Sequence, residues 1–234
     1  VDRFNKSHEI ALHVIGNHDT DGGLSMEHVL KSWGMKDPYY HHVVEGLHLL
    51  VLNANEKGSV KHKGGYPKFI GKSQVAWLEK TLSSLEGPVV IVSHQPIAGS
   101  YAIDNAAEIQ KILSKHSDKV VLAMNGHTHI DLLTEVGEIP YLHINSASYH
   151  WLGSKYAHES YPAEVHAKHS ALKYTSPYRE ALFTTLTFEP KDRQIIVEKR
   201  VTQWVGKSPK ELGLKREPEG AVTPGIRARV IGKK

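Results

Sequence analysis

Three short polar segments, each directly behind an apolar run, carry the residues of this chain best suited to chemistry. They are Gly16-Asn17-His18-Asp19 after residues 10–15, Ser93-His94-Gln95-Pro96 after residues 89–92, and Asn125-Gly126-His127-Thr128-His129 after residues 120–124. An open α/β sheet presents its functional loops at the carboxyl ends of its strands, so three such ends can bring imidazole and amide donors to one centre. Nitrogen and oxygen donors without a thiolate suit Mn, Fe, Zn or Co rather than a structural zinc knot. Gly126 lets the chain turn sharply, and His127 and His129, at i and i+2, can face one centre or two adjacent ones. With seventeen histidines in 234 residues, position decides rather than presence. His8, His28, His41, His42, His48, His62, His116, His158, His166 and His169 have no such setting and read as structural or surface residues.

The elements that must position these loops follow from hydropathy patterning. Residues 10–15 read as a buried strand, and Met26, Val29, Leu30 and Trp33 share one helical face. Tyr40–Val44 and Leu47–Leu52 flank Glu45-Gly46 as a hairpin. Ser73 is a candidate cap for a helix carrying Val75, Leu78, Leu82 and Leu85, which Gly87-Pro88 stops ahead of the strand Val89–Ser93. A helix over about 106–116 precedes the strand Val120–Asn125. Residues 132–136 and 139–144, then 181–188 and 194–201, form two further hairpin-like pairs. Strands alternating with helices, then strands alone, imply an α/β fold with mixed sheets. Residues 146–179, rich in Tyr and His, read as one long functional loop. Tyr149, His150, Trp151 and Tyr156 open it, either filling space in the core or lying over a site where they stack on a flat group.

Composition sets the outer bounds. Uninterrupted aliphatic runs reach only four residues, as at 89–92, far short of the ~20 apolar residues of a membrane span. The absence of cysteine removes disulfides, thiolate metal sites and a cysteine nucleophile. The net charge of +4 belongs to the C-terminus, where residues 206–234 hold eight basic and three acidic residues. That segment reads as a basic, Pro/Gly-containing extension in solvent behind a domain over 1–205, with no clear nucleic-acid groove.

The three motifs, in this order and with these strands between them, resemble the calcineurin-like metallophosphoesterases over roughly residues 8–150. The resemblance implies a layered sandwich of two mixed β-sheets flanked by helices, with two divalent ions (Mn, Fe, Zn or Co) and a small phosphate ester as substrate. It implies Asn17, His94 and His127 as ligands of one ion, His129 as a ligand of the other, and His18 as the catalytic histidine. Two cations ~3.5–4 Å apart clamp a phosphoryl group and acidify a bridging water. A histidine beside them stabilises the phosphoryl oxygens or protonates the leaving alkoxide, and Asp19 either orients its ring or forms an Asx turn. The family's Asp-x-His and Gly-Asp-x-x-Asp motifs are not found in the chain, which begins with Val1. The expectation is that they lie upstream, so that the sandwich here is missing its first strands. The alternatives are a non-catalytic metal-binding domain, an inactive fragment of such an enzyme, or a histidine-rich metal buffer. A periplasmic or secreted bacterial location and a cytoplasmic one both stay open, as do the oligomeric state and the choice between monoester and diester.

Overall fold

Leucine- and valine-rich segments build the main sheet of the computed structural model, which describes residues 1–99, 101–216, 218 and 220–232. Its helices are α1 (Asp2–Asn5), α2 (Met26–Trp33), α3 (Lys72–Ser84), α4 (Ala106–Ser114) and α5 (Ala163–Lys168). Strands β1 (Tyr40–Val44), β2 (Leu47–Leu52), β3 (Val89–Ser93), β4 (Val120–Asn125), β5 (Leu132–Val136) and β6 (Ile139–His143) lie in the order β1-β2-β3-β4-β6-β5. β1 and β2 form the expected hairpin, with Glu45 and Gly46 at φ 47° and 83° in the turn. β2, β3 and β4 run parallel. Parallel neighbours need crossovers, and α3 and α4 supply them. Leu50, Leu52, Ile91, Leu78, Leu82, Ile109 and Leu113 are fully buried in the resulting core.

Two expectations change here. Residues 10–15 are not a ladder strand. The Tyr40 hydroxyl donates to the His13 carbonyl at 2.8 Å and accepts from its N–H at 3.1 Å, while Asn55 Nδ2 donates to the Ile15 carbonyl at 3.1 Å. Side chains thus satisfy main-chain groups that a strand neighbour would otherwise meet. The second is the cap of α3, which is Gly71 and not Ser73. The Glu56 carboxylate occupies the space that a side chain at residue 71 would need, and it accepts a hydrogen bond from Gln74 Nε2.

The chain divides into two compact units, residues 1–127 with 134–141, and residues 128–133 with 142–234. In the second, β7 (Tyr149–Trp151) pairs with β8 (Thr175–Pro177). β9 (Leu186–Glu189), β10 (Gln194–Val197) and β13 (Arg229–Ile231) form a three-stranded antiparallel sheet, and β11 (Arg200–Val201) pairs with β12 (Gly225–Ile226). The mixed α/β class therefore stands, with one mixed sheet and three small antiparallel ones among the described residues. Residues 146–179 are not an irregular loop but contain β7, α5 and β8. His150 is buried, whereas Trp151 is 49% exposed.

The C-terminal segment is not a simple solvated extension, although its Glu217, Glu219, Lys233 and Lys234 lie outside the described residues. Ala221, Ile226 and Ile231 are buried. The Asp131 carboxylate is fully buried and pairs with Arg227 Nε and Arg229 Nη1, each at 2.7 Å. A buried carboxylate demands such partners, which explains part of the basic excess at this end of the chain. Among the described residues no helix is long and apolar enough to cross a membrane.

His150 gives this unit an acid-sensitive point. Its Nδ1–H donates to the His129 carbonyl at 2.7 Å, and Nε2 has no partner among the described residues. Burial, with a smaller push from Arg216, lowers its pKa from 6.5 to about 4. The folded state binds fewer protons than the unfolded chain between those values, so stability is full above pH 6.5 and falls as the pH drops towards 4. The shift corresponds to about 3 kcal/mol. Urea unfolding at pH 7 and pH 4.5 is expected to show a loss of that order in the wild type. His150→Gln should remove much of the pH dependence, and an equal acid loss in both proteins would contradict the assignment.

Candidate metal centre

Asn17, His94 and His127 reach one point from three loops of the first unit. Asn17 follows the buried pair Ile15 and Gly16, His94 follows β3, and His127 follows β4 through Gly126. His94 Nε2 lies 3.0 Å from Asn17 Oδ1, His127 Nδ1 lies 2.9 Å from the same oxygen, and the two nitrogens are 3.3 Å apart. Donors about 2.1 Å from a shared ion sit about 3.0 Å apart at octahedral angles and about 3.4 Å apart at tetrahedral ones. The triangle therefore fits a single divalent cation. Asn17 is nearly buried, and the imidazoles meet edge to face with centroids 5.1 Å apart.

The loops are held in place by close backbone approach and buried amides. An added Cβ on Gly16 would lie 3.0 Å from two atoms of the His94 ring, so a side chain there would push the ring by a few tenths of an ångström. Gln95 Nε2 donates to Asn55 Oδ1 at 2.6 Å, and Asn55 Nδ2 donates to the Ile15 carbonyl, two residues before Asn17. Asn53 Oδ1 accepts from Asn55, and Gln74 bonds both main-chain groups of Asn53. This relay ties the loop of His94 to that of Asn17. His127 adopts φ 61° and His129 φ 51°, both left-handed. Such backbone in non-glycine residues costs of order 1 kcal/mol each and gathers at functional sites.

His18 is the exposed neighbour of this triangle in the chain. Its Nδ1 lies 2.7 Å from Asp21 Oδ2 and 3.0 Å from the Tyr66 hydroxyl, which itself donates to Asp21 Oδ1 at 2.8 Å. Hydrogen bonds from His18 and Tyr66 hold the Asp21 carboxyl below its ordinary range, and the same contact raises the Tyr66 hydroxyl. The ring of His18 is thus oriented by Asp21 and not by Asp19. Asp19 instead reaches back and accepts from the Gly16 N–H at 2.6 Å, closing the 16–19 turn without forming the Asx turn the sequence offered.

His129 belongs to the second unit, where its ring packs edge on against Tyr149 at 5.0 Å and its carbonyl receives His150. Sequence reasoning missed Asp21, Tyr66 and the amide relay. Asp21 was within reach as an acid three residues beyond His18, whereas Tyr66 lies 48 residues away with no local pattern to mark it.

Residues 2–131, more than half of the chain, match the calcineurin-like phosphoesterase family. The chain belongs to that family. No curated protein matches it. Among solved structures, this phosphoesterase-family chain is similar to a dimetal phosphatase from Danio rerio, with 17% identity and a TM-score of 0.45 over 57% of this chain and 60% of that one. It is also similar to PhoD, with 14% identity and a TM-score of 0.43 over 88% of this chain and 45% of that one. GAP50, the anchor in the inner membrane complex of Plasmodium, matches at 17% identity and a TM-score of 0.37 over 48% and 38%. In each case the match spans less than two thirds of the other protein.

Among the described residues no group of three or more His, Cys, Asp or Glu side chains gathers as a metal site. The third donor of the triangle is an amide oxygen, a ligand that hard cations accept.

Proposed function

We propose that the protein hydrolyses phosphoric esters with divalent cations, one of them held by Asn17, His94 and His127. The observation that carries this reading is the donor triangle, with sides of 2.9, 3.0 and 3.3 Å. Membership of a phosphoesterase family supports the reaction class. A divalent ion at these donors supplies the positive charge and Lewis acidity that phosphoryl transfer requires.

The chain's own residues supply position and protons. Asp21, kept ionised by its two hydrogen bonds, holds the His18 Nδ1–H, so that when the ring carries a proton on both nitrogens Nε2–H is the one given to a leaving alkoxide. Tyr66 locks that pair from the side, its ring edge on to His18 with centroids 4.6 Å apart. His129 enters the proposal as ligand of a second ion on its place in the motif alone. Monoesters and diesters both remain within the reading.

A non-catalytic metal-binding domain is the second reading, and one feature favours it: the three donors are all neutral. Such a set holds an ion weakly, so the 234-residue chain by itself is expected to take up one Mn²⁺ at most and to turn over below about 1 per second. Metal analysis and assays with an aryl phosphate and an aryl phosphodiester check this, in the chain and in any longer form of the protein that carries it. Turnover in either that disappears with a chelator and returns with Mn²⁺ supports hydrolysis. Ion binding without turnover in either would leave the non-catalytic reading.

A further inference from the structure

The loop that carries Tyr66 to His18 is the most concentrated positive segment of the first unit. Residues 57–68 hold Lys57, Lys61, His62, Lys63 and Lys68 and no acidic residue. The segment is closed at its base by the Asn55–Phe69 bridge, with Phe69 N–H donating to the Ala54 carbonyl at 2.8 Å. Ends held together around about a dozen surface residues define an Ω-loop, a form often tied to function. Gly58, Gly64 and Gly65 sit at φ 111°, 105° and 77°, conformations that side chains resist. Immediately after the last two, Tyr66 docks on His18 and Asp21.

The cations of the loop divide into two groups. Lys61 Nζ donates to the Asp104 carbonyl at 2.8 Å, and Lys68 Nζ lies 3.7 Å from the Asp104 carboxylate, so both fasten the loop. The exposed side chains of Lys57, His62 and Lys63 have no hydrogen-bond or ion-pair partner among the described residues. Lys63 is three residues from Tyr66 and so lies within about 11 Å of it along the chain. Cations left without a carboxylate, on the loop that brings Tyr66 to a candidate general acid, can receive negative charge from a ligand.

We propose that the 57–68 loop is a second anion subsite, selecting phosphate esters that carry a further phosphate group beyond the one cleaved. The proposal rests on the phosphoester reading above. The scissile phosphate lies at the metal donors and His18, and the additional phosphate meets Lys63 with help from Lys57. Lysine is a point-charge partner and accepts such a group without a fixed geometry.

Calorimetry on the Mn²⁺-loaded chain with glycerol 3-phosphate and glycerol 1,3-bisphosphate tests this, because the two esters differ by one phosphate. The bisphosphate is expected to bind about tenfold more tightly at low salt, with the preference shrinking in 0.5 M salt. K57A/K63A should bring the ratio close to one while leaving the affinity for glycerol 3-phosphate unchanged, and Lys63→Glu should favour the monophosphate. Equal affinity of the wild type for both esters, or a preference that survives the double substitution, would overturn the subsite alone. Failure of the wild type to bind either ester would overturn the phosphoester reading and the subsite with it.

Discussion

His94→Ala and His127→Ala are each expected to lower the affinity for Mn²⁺ or Zn²⁺ by at least about a hundredfold. Loss of a residue that merely supports a ligand already costs roughly ten- to a hundredfold, and here a direct donor disappears from a set of three. The two losses should be similar, because each nitrogen contributes one corner of a triangle shared with Asn17 Oδ1. Asn17→Ala should follow them, whereas Asp19→Asn should not, since Asp19 spends its carboxylate on the Gly16 N–H. Ion affinity measured by competition with a chromophoric chelator checks all four variants. Unchanged affinity in either histidine variant would remove that residue from the centre.

His18→Ala is expected to behave differently, with metal affinity retained and whatever turnover the protein has on alkyl esters down by about a hundredfold or more. Activated aryl esters should lose less, because their leaving groups depart without a proton. Asp21→Asn should reproduce part of the loss, since it removes the carboxylate that fixes the His18 tautomer and the Tyr66 hydroxyl. Parallel rate profiles over pH with the two ester types check the proton-donor role. Equal losses on both, or loss of metal from His18→Ala, would contradict it.

How far these features were legible in the sequence depended on whether they were local. β3 and β4 fall where their apolar runs lie, because a buried parallel strand is an almost continuous hydrophobic run and Gly87-Pro88 marks the start of the first. The convergence of Asn17, His94 and His127 was legible for the same reason, as each follows such a run. Residues 10–15 carry a similar signal but lack a ladder, because hydropathy reports burial and not which groups meet the backbone. Tyr40 and Asn55 meet it here, and neither contact leaves a mark in the local sequence. The helix cap moved from Ser73 to Gly71 through Glu56, fifteen residues upstream of the cap. The basic C-terminus misled for a related reason: the excess reads as solvated until Asp131, 96 residues before Arg227, is seen to need it.

Anomalous diffraction from crystals of the chain soaked in Mn²⁺ tests the central claim most directly. The account predicts one strong peak about 2.2 Å from Asn17 Oδ1, His94 Nε2 and His127 Nδ1 together. A peak held elsewhere, or no peak at these three atoms at saturating ion, would contradict it.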